Sequence, residues 1–153
     1  MMLELHNVTI GQQVRSLSLT INDGQLVCLS GPKGSGKTTL LRAVLGLIPI
    51  DGGHISIDGE LLTPKSAPFF RRQMAYVPQY LSVPEGCIQE TDYLKLLGAA
   101  VESEKSLLIV DEPAQVFSME DMQTLDQLLV EASRKGKTVL AVNSRIQENQ
   151  VRL

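Results

Sequence analysis

Along the first twenty-one residues apolar and polar positions alternate. Leu3, Leu5, Val8 and Ile10, then Leu17, Leu19 and Ile21, recur at period two, which predicts an antiparallel pair of half-buried strands. Asn22-Asp23-Gly24 turns the chain into Leu26-Val27-Cys28-Leu29, a short continuous apolar run. A helical pattern from about Gly36 to Gly46 follows, broken by Pro49-Ile50-Asp51-Gly52-Gly53. His54-Ile55-Ser56-Ile57 with Asp58-Gly59 predicts a small hairpin, and Ala75-Tyr76-Val77 a strand closed by Pro78. Leu107-Leu108-Ile109-Val110 is apolar throughout, as strands of a parallel sheet buried on both faces are. Ser118 with Asp121 predicts a helix start. Met119, Met122, Leu125, Leu128, Leu129 and Ala132 form a stripe expected to face the core, ending at Gly136. Thr138-Val139-Leu140-Ala141-Val142 is expected to close the pattern as a last buried strand. Strands alternating with helices predict an α/β domain with a mostly parallel sheet flanked by helices and an antiparallel N-terminal β element. No internal repeat or linker divides it, so residues 1–153 are expected to form one domain.

The turn after the third strand changes the picture from fold to chemistry. Gly31-Pro32-Lys33-Gly34-Ser35-Gly36-Lys37-Thr38-Thr39 fits G-x-x-x-x-G-K-[ST], between an apolar strand and a helix. Glycines at 31, 34 and 36 let the backbone curl and aim successive N–H groups at phosphate oxygens, and the helix adds its positive end. Lys37 is expected to reach the β- and γ-phosphates, and Thr38 to place its hydroxyl on Mg²⁺. Asp111-Glu112 then stands at the carboxyl end of a buried strand, where open α/β sheets bind ligands. In the same chain as the phosphate loop, Asp111 becomes a candidate Mg²⁺ acid and Glu112 a candidate base for an attacking water.

Composition removes several classes. A 153-residue chain with 43% hydrophobic and 20% charged residues is long enough to bury a core without staples. The net charge of −3, with 14 scattered Lys and Arg, gives no basic face for nucleic acid. The apolar stretch from Ala43 to Ile50 is far short of the ~20 residues a spanning helix needs, and the start of the chain has no signal pattern; a cytoplasmic address is expected. Cys28 and Cys87 have no metal-type spacing, and Cys28 is expected to be a buried free thiol. His6 and His54 fall in strand alternation, which favours structural roles.

Together these segments resemble the ATP-binding cassette family, the motor subunits of ABC transporters. Leu3 to Ile21 is similar to the family's antiparallel opening and Gly31 to Thr38 to its Walker A motif. Tyr76-Val77-Pro78-Gln79 resembles its Q-loop and Leu107 to Pro113 its Walker B motif with the following Glu-Pro. The resemblance implies a P-loop NTPase core that binds ATP with Mg²⁺, with Thr38, Gln79 and Asp111 at the metal and with Gln79 and Glu112 at the attacking water. It also implies a partner, either a complete ATPase subunit or a membrane permease, that would hold the chain at the inner face of a membrane without inserting it.

The departures limit what the resemblance implies. The family's Leu-Ser-Gly-Gly-Gln signature does not occur. A gap-free count back from Asp111 places Cys87-Ile88-Gln89-Glu90-Thr91 there, with Glu90 where a γ-phosphate would be repelled. Only 32 positions separate Gln79 from Asp111, so the family's helical subdomain is expected to be largely missing. Ala114-Gln115-Val116-Phe117 replaces the D-loop, and Asn143-Ser144-Arg145 puts Ser144 at the switch histidine. The stretch Val8 to Val14 has no aromatic residue to stack on adenine, so ATP and GTP are not distinguished. Two functional classes stay open. One is a weakly hydrolysing cassette subunit that acts with a partner chain; the other is a nucleotide-binding regulatory module without turnover. A DNA-repair or translation type cassette ranks third, since the chain lacks the insertions or basic surfaces this would require.

Overall fold

The computed structural model describes residues 1–80 and 92–153. The segment from Cys87 to Thr91, expected at the signature position, lies outside the described residues.

β1 (Leu3–Ile10) and β2 (Val14–Ile21) pair antiparallel, β4 (Gly52–Ile57) takes the other edge of β1, and β5 (Glu60–Leu61) folds back on β4. The sheet order is β2-β1-β4-β5. The period-two residues Leu3, Leu5, Val8 and Ile10 are all buried, while His6 and His54 pair across β1 and β4 with rings stacked at 4.6 Å. Both pairings of β1 shift register near Asn7, where Gly53 approaches so closely that a Cβ would lie 2.2 Å from the carbonyl oxygens of His6 and Asn7. Only glycine fits there, and its φ of 74° is one that glycine adopts without strain.

The second sheet is parallel, in the order β6-β7-β8-β3-β9. It comprises β3 (Leu26–Ser30), β6 (Met74–Val77), β7 (Leu107–Val110), β8 (Thr138–Val142) and β9 (Gln150–Arg152). The helices are α1 (Lys37–Val44), α2 (Ala67–Arg71), α3 (Tyr93–Glu102) and α4 (Met119–Arg134). The apolar strands divide their side chains between two cores. Leu107 and Ile109 of β7 join Leu40, Leu41 and the antiparallel sheet on one face. Leu108 and Val110 join Leu97, Val101, Leu125 and Leu129 of α3 and α4 on the other. Each such fully buried Leu or Val contributes roughly 1.5–3 kcal/mol by leaving water, which explains why these strands carry no polar face. Between β6 and β7 the described residues hold one helix, α3, so the helical subdomain is reduced as the short spacing predicts.

Asp92 caps α3 by accepting from the Leu94 and Lys95 amides, and Ser118 caps α4 by accepting from Asp121. Two expectations fail. Met119 is 78% exposed and does not belong to the core stripe, which narrows to Leu125, Leu129 and Ala132 with Met122 and Leu128 half-buried. Met119 is the first residue of α4, one turn short of where the helix meets the sheet. Nor does β8 close the pattern, because the three-residue β9 adds a parallel edge beside β3. Three residues, two of them polar, carry too little periodicity to be seen in the sequence.

Candidate functional site

β3 ends at Ser30 and the chain turns into the loop at Gly31, whose Cα faces the Leu153 carbonyl so closely that a Cβ would sit 2.7 Å from it. Gly36 begins α1 in the left-handed region with φ 99°, and no side chain caps the helix, so its first amides are left for a ligand. Lys37 Nζ donates to the Gly31 and Pro32 carbonyls and pairs with no acid among the described residues. Ser35 Oγ is buried without a partner there. The ammonium therefore bridges its own loop and keeps its full charge available for an anion.

Across the site Asp111 is 2% exposed at the end of β7. Its Oδ2 accepts from Thr38 Oγ1 at 2.8 Å and its Oδ1 from the Glu112 amide at 2.8 Å. That single hydrogen bond joins residues 73 positions apart and fixes the loop's hydroxyl against the strand's carboxylate. Beneath them the Tyr93 hydroxyl donates to the Asp111 carbonyl. Burial, reinforced by the Asp111 and Glu112 charges, holds that phenol well above the ordinary tyrosine range, so it stays a neutral donor. Tyr93 also packs edge-on against Phe117 at 5.7 Å. The segment from Ala114 to Phe117 is thereby anchored in the second core.

Lys33, Gly34, Gly36, Lys37, Thr38 and Thr39 line one cavity of about 570 Å³ together with Gln79, Asp111 and Glu112. Pro32 and Ser35 shape the loop without lining the cavity. Gln79 is held at its backbone, where its carbonyl accepts from the Ala114 amide at 3.1 Å. Glu112 is exposed and lines the cavity. The expected residues other than Pro32 and Ser35 thus line one cavity from three strand ends. Ser144 is exposed and not among the cavity's lining residues.

Two features escaped the sequence reading. Gln13, in the turn before β2, enters the cavity wall. After β8, buried Asn143 accepts from the Arg145 and Ile146 amides at 2.7 and 3.1 Å and donates to Asp126 Oδ1 at 2.7 Å. The Arg145 guanidinium grips both oxygens of Asp126 at 3.2 and 2.9 Å. Neither feature carries a spacing signal, since each depends on a partner from a distant element.

A glycine-rich loop running from a parallel strand into a helix, facing two carboxylates at a neighbouring strand end, defines a P-loop nucleotide-binding α/β protein. The profile of the ABC transporter family matches residues 14–140, and the chain belongs to that family. It is 37% identical over 125 residues to the Fe(3+) ions import ATP-binding protein FbpC 2 of Pectobacterium atrosepticum, covering 77% of this chain and 35% of that protein. The vitamin B12 import ATP-binding protein BtuD of Yersinia pseudotuberculosis is 30% identical across 92% of this chain and 75% of its own. That alignment runs over 190 positions, more than the chain contains, so the relative carries residues with no counterpart here. The chain spans about a third of the length of several curated relatives it matches. Among solved structures, an ATP-binding subunit of an ABC transporter superposes with a TM-score of 0.79 at 20% identity, over 100% of this chain and 86% of that one. A cassette solved as a dimer in a post-hydrolysis state with ADP and Pi gives 0.76 at 20% identity, over 99% and 94%. At such identities these two establish the fold alone.

Proposed function

We propose that residues 1–153 act as one ABC-type nucleotide-binding domain that takes Mg-ATP and hydrolyses it slowly unless completed by a partner chain. The observation that carries this reading is the Thr38–Asp111 hydrogen bond. It presents a hydroxyl and a carboxylate side by side in the cavity that Lys37 also lines. Magnesium is held by one or two carboxylates plus substrate phosphates, and among the described residues there is no cluster of three or more His, Cys, Asp or Glu to hold a metal otherwise. Thr38 and Asp111 fit that donor set, with Gln79 lining the same cavity. A bound Mg²⁺ ion would neutralise phosphate charge. The loop's N–H groups from Lys33 to Thr39 bind the phosphates, Lys37 turns from the Gly31 and Pro32 carbonyls to the β- and γ-oxygens, and Glu112 takes a proton from the attacking water that Gln79 orients.

Calorimetric titration with Mg-ATP tests this, with Lys37→Ala expected to lower affinity about 10- to 150-fold through loss of a charge-assisted interaction. No binding by the unmutated chain would overturn it. A second reading, a regulatory module without turnover, is favoured by the commitment of Asn143, Arg145 and Asp126 to one another. Phosphate release separates the two: slow, Glu112-dependent turnover supports the first and none supports the second, whereas a rate near ~10 s⁻¹ would contradict both. The partner in this reading is a permease or a complete cassette subunit. Among the described residues no helix is long and apolar enough to cross a membrane, which supports an address at the cytoplasmic face through that partner. A Glu112→Gln variant should stay monomeric with Mg-ATP in sedimentation, because Ile88, Gln89 and Glu90 provide no working signature; an ATP-dependent symmetric dimer would reverse that view.

A further inference from the structure

The turn between β1 and β2, Gly11 to Gln13, stands against the phosphate loop, and Gln13 bridges that loop at two points. Its Nε2 donates to the Gly34 carbonyl at 3.1 Å and its Oε1 accepts from Thr39 Oγ1 at 3.2 Å. The amide's orientation follows from its partners. A carbonyl can only accept, so the NH₂ group must face Gly34, which leaves the oxygen for the Thr39 hydroxyl. Gly36 marks how closely β2 abuts the loop, since a Cβ there would sit 2.9 Å from Val14 Cγ2 and 3.0 Å from Gln13 Cβ.

We propose that Gln13 is a positioning residue of the phosphate loop, tying the loop's tip at Gly34 to the first turn of α1 at Thr39 and so setting the spacing of the amides that receive a triphosphate, whatever base it carries. This rests on the loop being the Mg-nucleotide site. Lys37 grips Gly31 and Pro32 at the beginning of the loop while Gln13 grips Gly34 and Thr39 further on. The loop is thereby held from both sides where it lines the cavity. Ordering the loop before the ligand arrives removes part of the cost of binding. The same geometry makes Gln13 unsuited to stack on a base, because both polar ends of its side chain are committed to the loop.

The test is calorimetric titration of Gln13→Ala and Gln13→Leu with Mg-ATP, Mg-GTP, Mg-CTP and Mg-tripolyphosphate, alongside thermal unfolding. Two neutral hydrogen bonds of ordinary net strength correspond to about 5- to 150-fold in affinity. Both variants should lose affinity equally for all four ligands, by up to that factor, and the part of the two bonds already felt in the unliganded chain should appear as a thermal midpoint lowered by a few degrees. A loss confined to the nucleotides, with tripolyphosphate unchanged, would mean that Gln13 touches the nucleoside and would overturn the proposal. Unchanged affinity throughout would overturn it as well, provided the parent binds. If the parent binds none of the four, the nucleotide-site reading itself fails.

Discussion

The phosphate loop, at one end, and the segment beyond β8, at the other, treat their polar groups in opposite ways. At the phosphate loop Lys37 pairs with no acid among the described residues, no side chain among them caps α1, and Thr38 donates to Asp111. Beyond β8, Asn143, Arg145 and Asp126 consume one another's hydrogen-bonding capacity, and Ser144 is left in solvent outside the cavity. The first end is organised for a ligand and the second for the protein itself. Binding energy and transition-state stabilisation are separable quantities; on the proposed reading the phosphate loop serves the former, while the segment after β8 is held by its own contacts.

The largest effect expected from this contrast is on turnover. Glu112→Gln keeps the shape of the side chain and removes its basicity, so the residual hydrolysis rate should fall on the order of 10²- to 10⁴-fold with Mg-ATP affinity held within a few fold. Single-turnover phosphate release and calorimetry on one preparation read both. A parallel fall in affinity would place Glu112 in binding and erase the distinction.

How much of this was legible in the sequence follows the same divide. The loop could be read because its function demands glycines at set positions, and Asp111-Glu112 because a four-residue apolar strand must end where its acids emerge. The Asn143–Asp126–Arg145 network could not, because its two halves are joined only when α4 packs beside β8, and an Asn-Ser-Arg tripeptide has no periodicity of its own. Gln13 was hidden for a related reason. A glutamine in a turn is unremarkable until β2 is seen to abut Gly36.

Next in size is a stability effect at the second end. Asp126→Ala would strand the buried Asn143 amide and release Arg145, at a cost of about 1.5–3 kcal/mol for hydrogen bonds to a charged partner. Urea unfolding should show the lowered midpoint. Mg-ATP affinity, set at the other end, should change by less than about two-fold, as for a site that shares no partners with the mutation. A substantial loss of affinity would show the two ends to be coupled.

Cys28, buried in β3 beneath the loop, offers a pH test of the core between them. Burial, with a smaller contribution from Asp126, pushes its thiol up to about 12 from an ordinary 9.0. The folded chain therefore keeps a proton that the unfolded chain releases. Stability from this group is complete below the unfolded value and should fall as pH rises from 9 toward 12, by up to about 1.4 kcal/mol per pH unit. Unfolding midpoints of Cys28→Ala against the parent across that window isolate the contribution. A slope of the same size in both would assign the loss to other groups.

The smallest expected effect is the sharpest test of the contrast. The resemblance would put Ser144 at the family's switch histidine, yet its side chain is exposed and lies outside the cavity wall. If the second end is committed to structure, Ser144→Ala should leave turnover within about two-fold and stability within the ±0.5 kcal/mol usual for an exposed position. The backbone that carries it is fixed by Asn143, so removing one hydroxyl releases nothing. A ten-fold fall in hydrolysis with affinity unchanged would instead put the Ser144 hydroxyl on the γ-phosphate in the transition state, since an interaction made only there is lost from rate and not from binding. The switch segment would then be a working catalytic element in a different chemical form.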